Sequence, residues 1–290
     1  MLRHLLWRKH MTVKTDSEIR DQVKEAYVEA LSRAKTRSGG CCTPETPPAG
    51  AAAKLVDYSA DTADLPEEAV ASSFGCGNPL AFAGVKEGQV VLDLGSGAGL
   101  DLLIASRKVG ASGKVIGVDM TDEMLAAARK NAADAGAKNV DLRKGVIEEM
   151  PVEDNSVDWV ISNCVINLSP RKERVFAEIA RVLKPGGQFS ISDIVAEDLP
   201  AKVRELAVTY SACIGGAISE PEYRGGLEKA GLTEIQVTDR YVYSAEALSD
   251  MVATDFDNLG ADAAEIKAAI NTAAGNVASV RISGKKALRG

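Results

Sequence analysis

From Gln89 onward, short apolar runs alternate with stretches of helical period. Val90–Leu94 predicts a buried strand, and Lys114–Asp119, Val140–Lys144, Val157–Ile161 and Phe189–Ile194 repeat the pattern. Helices are expected between them. One runs from about Asp101 to Val109. The next starts at Thr121, a capping residue, with Asp122 and Glu123 in its first turn favouring the dipole and Gly136 closing it. A third covers Glu173–Leu183, where Val175, Phe176, Ile179, Val182 and Leu183 share one face and Pro185-Gly186-Gly187 brings a sharp stop. Alternating strands and helices predict an α/β fold: a doubly wound, Rossmann-like parallel sheet.

The flanks follow other rhythms. Asp16–Lys35 predicts a helix with Val23, Tyr27 and Leu31 at i, i+4 and i+8, broken by Ser38-Gly39-Gly40. Cys41–Ala53 is a loop rich in Pro, Ala and Thr, and a helix-like stretch over Ala63–Ala71 leads into the turn cluster Phe74-Gly75-Cys76-Gly77-Asn78-Pro79. Beyond Ala201 the pattern loosens into helices, then two late strands at Ile235–Val237 and Arg240–Tyr243. The Ala-rich tail, Ser244–Gly290, is expected as a small helical cap. The implied division is a disordered leader (1–15, with Met1 or Met11 as start), a Cys-bearing extension (16–80), the Rossmann-like domain (81–200), helices and late strands (201–243) and the cap (244–290).

Composition narrows the function. A net charge of −7 argues against a nucleic-acid partner and against a polybasic membrane patch. No apolar stretch reaches the roughly 18 residues of a membrane-spanning helix. Five cysteines without a secretion signal point to reduced thiols in a cytoplasm. No C-x-x-C occurs, and both histidines, His4 and His10, lie at the N-terminus, so a zinc ribbon is not indicated.

Asp93-Leu94-Gly95-Ser96-Gly97-Ala98-Gly99 joins the first strand to a helix. A dinucleotide fingerprint, G-x-G-x-x-G, would need glycine where Leu100 stands. The spacing G-x-G-x-G with a preceding acid resembles the first motif of class I S-adenosylmethionine-dependent methyltransferases. That resemblance implies Asp93 near the cofactor's ammonium, Asp119 on the ribose hydroxyls, Met120 and Ile147 against adenine, and Glu148 or a backbone group near its amino nitrogen. Gly95, Ser96, Gly97, Gly99 and Asn163 complete the implied set. Taken singly, Asp119 and Glu148 are ordinary solvated acids; at strand ends beside this loop the cofactor role is favoured.

The cysteines decide between methyltransferases. A lone buried cysteine is most often an inert small hydrophobe. Here they mark the ends of elements. Cys164 follows the strand Val157–Ile161 at the carboxyl edge of the sheet, where open α/β folds bind ligands. Cys213 precedes Ile214-Gly215-Gly216, Cys76 sits between two glycines, and Cys41 and Cys42 share a loop. Together with Ser162–Leu168 and the glycine loop, these segments resemble the arsenite S-adenosylmethionine methyltransferase family over about Asp16–Gly231.

The resemblance implies that Cys76, Cys164 and Cys213 ligate As(III), with Cys41 or Cys42 serving thiol exchange. Soft trivalent arsenic prefers thiolate ligands. Its lone pair carries no proton, so methyl transfer needs no general base, in keeping with a chain whose only histidines are terminal. Arsenite and methylated arsenicals would be the substrates, thioredoxin or glutathione the reductant, and the enzyme a cytoplasmic monomer. The alternatives are a class I C-methyltransferase for a quinone- or sterol-like molecule, and a non-catalytic arsenic-binding protein.

Overall fold

In the computed structural model, residues 15–37, 65–71, 77–78, 84–205, 210, 212–256 and 263–288 are described. Cys41, Cys42, Cys76 and the leader up to residue 14 lie outside them. The elements run α1 (Asp16–Arg37), α2 (Glu67–Ala71), β1 (Val90–Leu94), α3 (Leu100–Val109), β2 (Lys114–Asp119), α4 (Asp122–Asp134), β3 (Val140–Lys144) and β4 (Val157–Asn163). A 3-10 turn (Ile166–Leu168) follows. Then come α5 (Lys172–Val182), β5 (Leu183–Ala196), α6 (Ala201–Glu205), α7 (Glu220–Lys229), β6 (Leu232–Val242), α8 (Ala245–Phe256), α9 (Ala263–Ala273) and β7 (Val277–Lys286).

The seven strands form one sheet in the order β3-β2-β1-β4-β5-β7-β6. Strands β1 to β5 are parallel, while β7 runs antiparallel between β5 and β6. The order reverses at β1/β4, so the loops after those strands diverge and leave a crevice at their carboxyl ends. Helices cover both faces. Val175, Phe176 and Ile179 of α5, with Tyr223 and Leu227 of α7, pack with Leu92, Val160 and Phe189. Leu102, Leu103 and Val109 of α3 pack with Val91, Val115 and Ile161 on the other face. A third cluster, holding Cys164, Cys213, Ile194 and Ile214, gathers α6, α8 and α9 with Val23 of α1. Among the described residues no helix is long and apolar enough to cross a membrane.

The doubly wound sheet agrees with the sequence pattern, and three details correct it. The tail is helical over α8 and α9, but it ends in a strand that is inserted into the sheet. Ala278, Val280 and Ile282 join the buried cluster, while Ser279, Arg281 and Ser283 alternate with them. The two late strands are one, β6, whose register shifts between Thr238 and Tyr241. Pro185-Gly186-Gly187 does not precede β5 but lies inside it; α5 already stops at Val182, where Leu183 turns to extended backbone. Thr121 takes the N-cap position of α4 without a capping side-chain bond.

Candidate active site

Every residue of the expected cofactor set lines one cavity at the carboxyl edge of the sheet, about 1010 Å³ counted out to solvent. Gly95 to Gly99 form its floor. Gly95 has φ +62°, and a Cβ there would stand 2.4 Å from Val165. Only glycine lets the loop turn so tightly against the segment carrying Cys164. The Gly97 N–H donates to Asp119 Oδ2 at 3.0 Å and the Thr121 N–H to Oδ1 at 2.8 Å, which aims the β2 acid at the loop. Met120, Ile147 and Glu148 line the same cavity.

The cavity is acidic. Burial, then the neighbouring Asp101 and Asp119, holds the Asp93 carboxyl well above its usual range. Burial also raises Asp119, against its backbone hydrogen bonds. Asp93 Oδ2 and Ser96 Oγ are buried without a hydrogen-bond partner. An aminoacyl sulfonium cofactor fits this donor set: its ammonium would satisfy Asp93 and its positive charge would relieve the clustered acids. Asp119 would take the ribose hydroxyls.

Three contributors escaped the sequence pattern. Asp101, at the second position of α3, accepts from Asn163 Nδ2 at 2.9 Å. Its place in the first turn of the helix after the glycine loop was the available signal. Arg20 and Tyr27 reach the cavity from α1. Arg20 Nη1 donates to Glu148 Oε1 at 3.2 Å, and Ser169 Oγ to the same oxygen at 2.8 Å.

The sulfur end adjoins this cavity. Cys164 lines it, immediately beyond Asn163. The Cys213 thiol donates to the Cys164 carbonyl oxygen at 2.7 Å, across 49 positions of sequence. The approach depends on Gly216, where a Cβ would fall 2.0 Å from the Asn167 carbonyl oxygen. Cys164 and Cys213 both adopt left-handed backbone, φ 55° and 62°. For cysteine that conformation is strained by about 1–3 kcal/mol, and such strain clusters at functional sites. Cys213 is a free thiol, whereas Cys164 is disulfide-bonded. Gly77, next after Cys76 in sequence, is held to Asn163: its N–H donates to Oδ1 at 3.2 Å and its carbonyl accepts from Nδ2 at 2.5 Å.

A buried polar cluster supports the two cysteines. Asp193 of β5 accepts from Asn167 Nδ2 at 2.9 Å, the Ile194 N–H at 2.8 Å and the Tyr223 hydroxyl at 3.1 Å. Burial pushes its carboxyl up to about 7. Lys172 donates to the Ser169 carbonyl at 3.0 Å, and burial brings its ammonium down to about 8. Burial, then Asp193, pushes the Cys213 thiol up.

Residues 85–237 match the family described as a methyltransferase domain. An arsenite methyltransferase of Halobacterium salinarum is 40% identical over 244 residues, 80% of this chain and 62% of that protein. One from Aquipseudomonas alcaligenes is 36% identical over 247 residues, 79% of this chain and 68% of its own length. The chain belongs to the arsenite methyltransferase family. Its match spans under two thirds of the Halobacterium relative's length. The fold of this family member also resembles the crystal structure of an arsenic (III) S-adenosylmethionine methyltransferase from Chlamydomonas reinhardtii. There the TM-score is 0.63 at 34% identity, covering 85% of this chain and 76% of that one.

Proposed function

We propose that the chain transfers methyl groups to trivalent arsenic held by Cys76, Cys164 and Cys213, giving methylated arsenicals. The observation that carries this is the contact of the Cys213 thiol with the backbone of Cys164, which itself lines an acidic cavity suited to a sulfonium cofactor. S-adenosylmethionine, when bound, supplies an electrophilic methyl group. Asp93, Asp101 and Asp119 balance its charge, Gly95 to Gly99 admit it closely, and Met120, Ile147 and Glu148 border its adenine end. The cysteines bring arsenic beside it, and proximity of two fixed reactants accounts for much of the rate.

Thiolates suit this substrate for two reasons. They match arsenic's softness, and a trigonal set leaves the lone pair directed away from the three sulfurs. No residue has to remove a proton from the nucleophile. Methyl transfer consumes the arsenic lone pair and leaves arsenic formally pentavalent. A pair of cysteine thiols returns two electrons and becomes a disulfide, which thioredoxin or glutathione then reduces by exchange. Cys41 or Cys42 serves the exchange. The enzyme works as a cytoplasmic monomer without a nucleic-acid or membrane partner, in keeping with its charge of −7 and its need for reduced thiols. The segment 81–200 holds the cofactor and supplies Cys164, while the extension 16–80 supplies Cys76 and, through Arg20 and Tyr27 of α1, borders both parts of the site.

The test is direct. The full chain, reduced with a phosphine, is incubated with methyl-labelled cofactor and arsenite, and the products are separated by chromatography. Labelled methylarsenicals are expected. Intact binding of S-adenosylhomocysteine with no labelled arsenical would refute the proposal; stoichiometric arsenite binding without turnover would mark a storage protein instead.

A further inference from the structure

One helix touches both ends of the cavity. On α1, Arg20, Val23 and Tyr27 recur at i, i+3 and i+7, so they share a face, and all three line the cavity. Arg20 pairs with Glu148 at the adenine end. Two turns on, the Tyr27 hydroxyl stands 4.0 Å from Cys213 Sγ. Buried Val23 and Leu31 anchor the helix, and Arg171 Nε donates to Asp16 Oδ2 at 2.7 Å at its start. The Tyr27 phenol is held high by burial first, then by Cys213, and it also feels Asp193 and Asp119, one acid from each half of the site.

The orientation of Cys213 gives this contact meaning. Its thiol now points at the Cys164 carbonyl. A sulfur so turned is capped by its own proton and by the backbone. To ligate arsenic it must leave that carbonyl. The S–H and one As–O bond break, an S–As bond forms, and the proton leaves with the hydroxyl as water, with no change of oxidation state. The ligated sulfur is then a pure acceptor. A phenol hydroxyl close by can donate to it while keeping its own proton.

We propose that Tyr27 is a positioning residue whose hydroxyl donates to the Cys213 sulfur in its arsenic-ligating orientation, and that the Arg20–Glu148 pair latches the helix that delivers it. This rests on Cys213 being an arsenic ligand. Tyr27 touches no reacting atom; it acts through the sulfur.

Tyr27→Phe removes the hydroxyl and keeps the ring. In the full, phosphine-reduced chain, its arsenite Kd and KM are expected to rise about tenfold, with kcat within about twofold of wild type. Its S-adenosylhomocysteine affinity and melting temperature should match wild type. Tyr27→Leu should show the same arsenite defect together with a lower melting temperature, because the ring's packing is lost too. Unchanged arsenite affinity in Tyr27→Phe would overturn the inference, as would equal losses of arsenite and S-adenosylhomocysteine affinity. Cys213→Ser, run in parallel, separates the two levels. If it binds arsenite like wild type, the ligand assignment fails; if it alone loses arsenite, only the role of Tyr27 fails.

Discussion

The two halves of the cleft are built by different means. The cofactor half comes from three successive strand–loop units, β1, β2 and β3, whose loops sit where any doubly wound sheet puts them. Its key bonds are local: Gly97 to Asp119 spans 22 positions and Thr121 to Asp119 spans two. The sulfur half brings together segments far apart in sequence. It places two cysteines in strained backbone and rests on a buried acid and amine. A generic fold supplies a place for the cofactor, whereas the sulfur half holds residues that would otherwise be avoided: left-handed cysteines, a glycine against a carbonyl and a fully buried Asp193. The halves should therefore fail separately when mutated.

The largest separation is expected from the thiols. Cys164→Ser and Cys213→Ser should each lower arsenite methylation by about a thousandfold or more, since a hydroxyl is a poor ligand for a soft ion. S-adenosylhomocysteine affinity, measured by calorimetry, should stay near wild type. A variant that lost both would show that the halves are one cooperative unit.

Two glycines sharpen the contrast. Gly216→Ala places a methyl group 2.0 Å from the Asn167 carbonyl, which backbone cannot absorb without moving the Cys213 loop. A cost of about 1–3 kcal/mol in stability is expected, with a roughly hundredfold loss of arsenite methylation and near-normal cofactor binding. Gly95→Ala should do the reverse to affinity, weakening S-adenosylhomocysteine about a hundredfold through its forbidden φ. Because its Cβ would also strike Val165, next to Cys164, some arsenite affinity should be lost as well. The asymmetry between the variants, read by paired binding titrations, measures how far the halves share structure.

A smaller effect belongs to Asp119→Asn. The amide keeps the shape but weakens acceptance from Gly97, Thr121 and the ribose. Cofactor affinity should drop about tenfold, as for one charge-assisted hydrogen bond, with arsenite affinity unchanged. An equal drop in arsenite affinity would place Asp119 in both halves.

The same division explains what could be read from the chain. Strands β1 to β5 and the residues that line the cavity were legible because their signals are local: apolar runs, turn glycines and acids at strand ends. Strand β7 was hidden by the Ala-rich stretch before it, although Val277-Ala278-Ser279-Val280-Arg281-Ile282-Ser283 alternates as a half-buried strand should. The meeting of Cys164 with Cys213 followed from family resemblance and not from any pattern, since nothing local specifies a contact across 49 positions. Tyr27 was visible only as a core position of α1. Its ring does pack on the core, and its hydroxyl, 186 positions from Cys213, carries no sequence signal.

The smallest effect on turnover is expected from Asp193, and it tests whether the sulfur half carries a cost that the cofactor half does not share. Its folded pKa is raised from 3.8 to about 7, so the folded state holds the proton more tightly than the unfolded chain. The stability this gives is complete below about pH 4 and is lost as pH rises through about 7. A rise of that size corresponds to about 4 kcal/mol as an upper limit. Lys172 opposes part of this. Its ammonium, lowered to about 8, favours ionised Asp193 below that pH but is itself disfavoured by burial. Asp193→Asn fixes the site in the neutral form. At pH 5 the variant should melt only modestly higher than wild type, because the native carboxyl is still protonated while the unfolded chain's is already ionised, so about a third of the difference is in place. At pH 8.5 it should melt several degrees higher, at about 2–4 °C per kcal/mol. A melting difference that is flat from pH 5 to 8.5 would mean that Asp193 is ionised throughout, paired with Lys172. The strain of the sulfur half would then reside in its backbone alone.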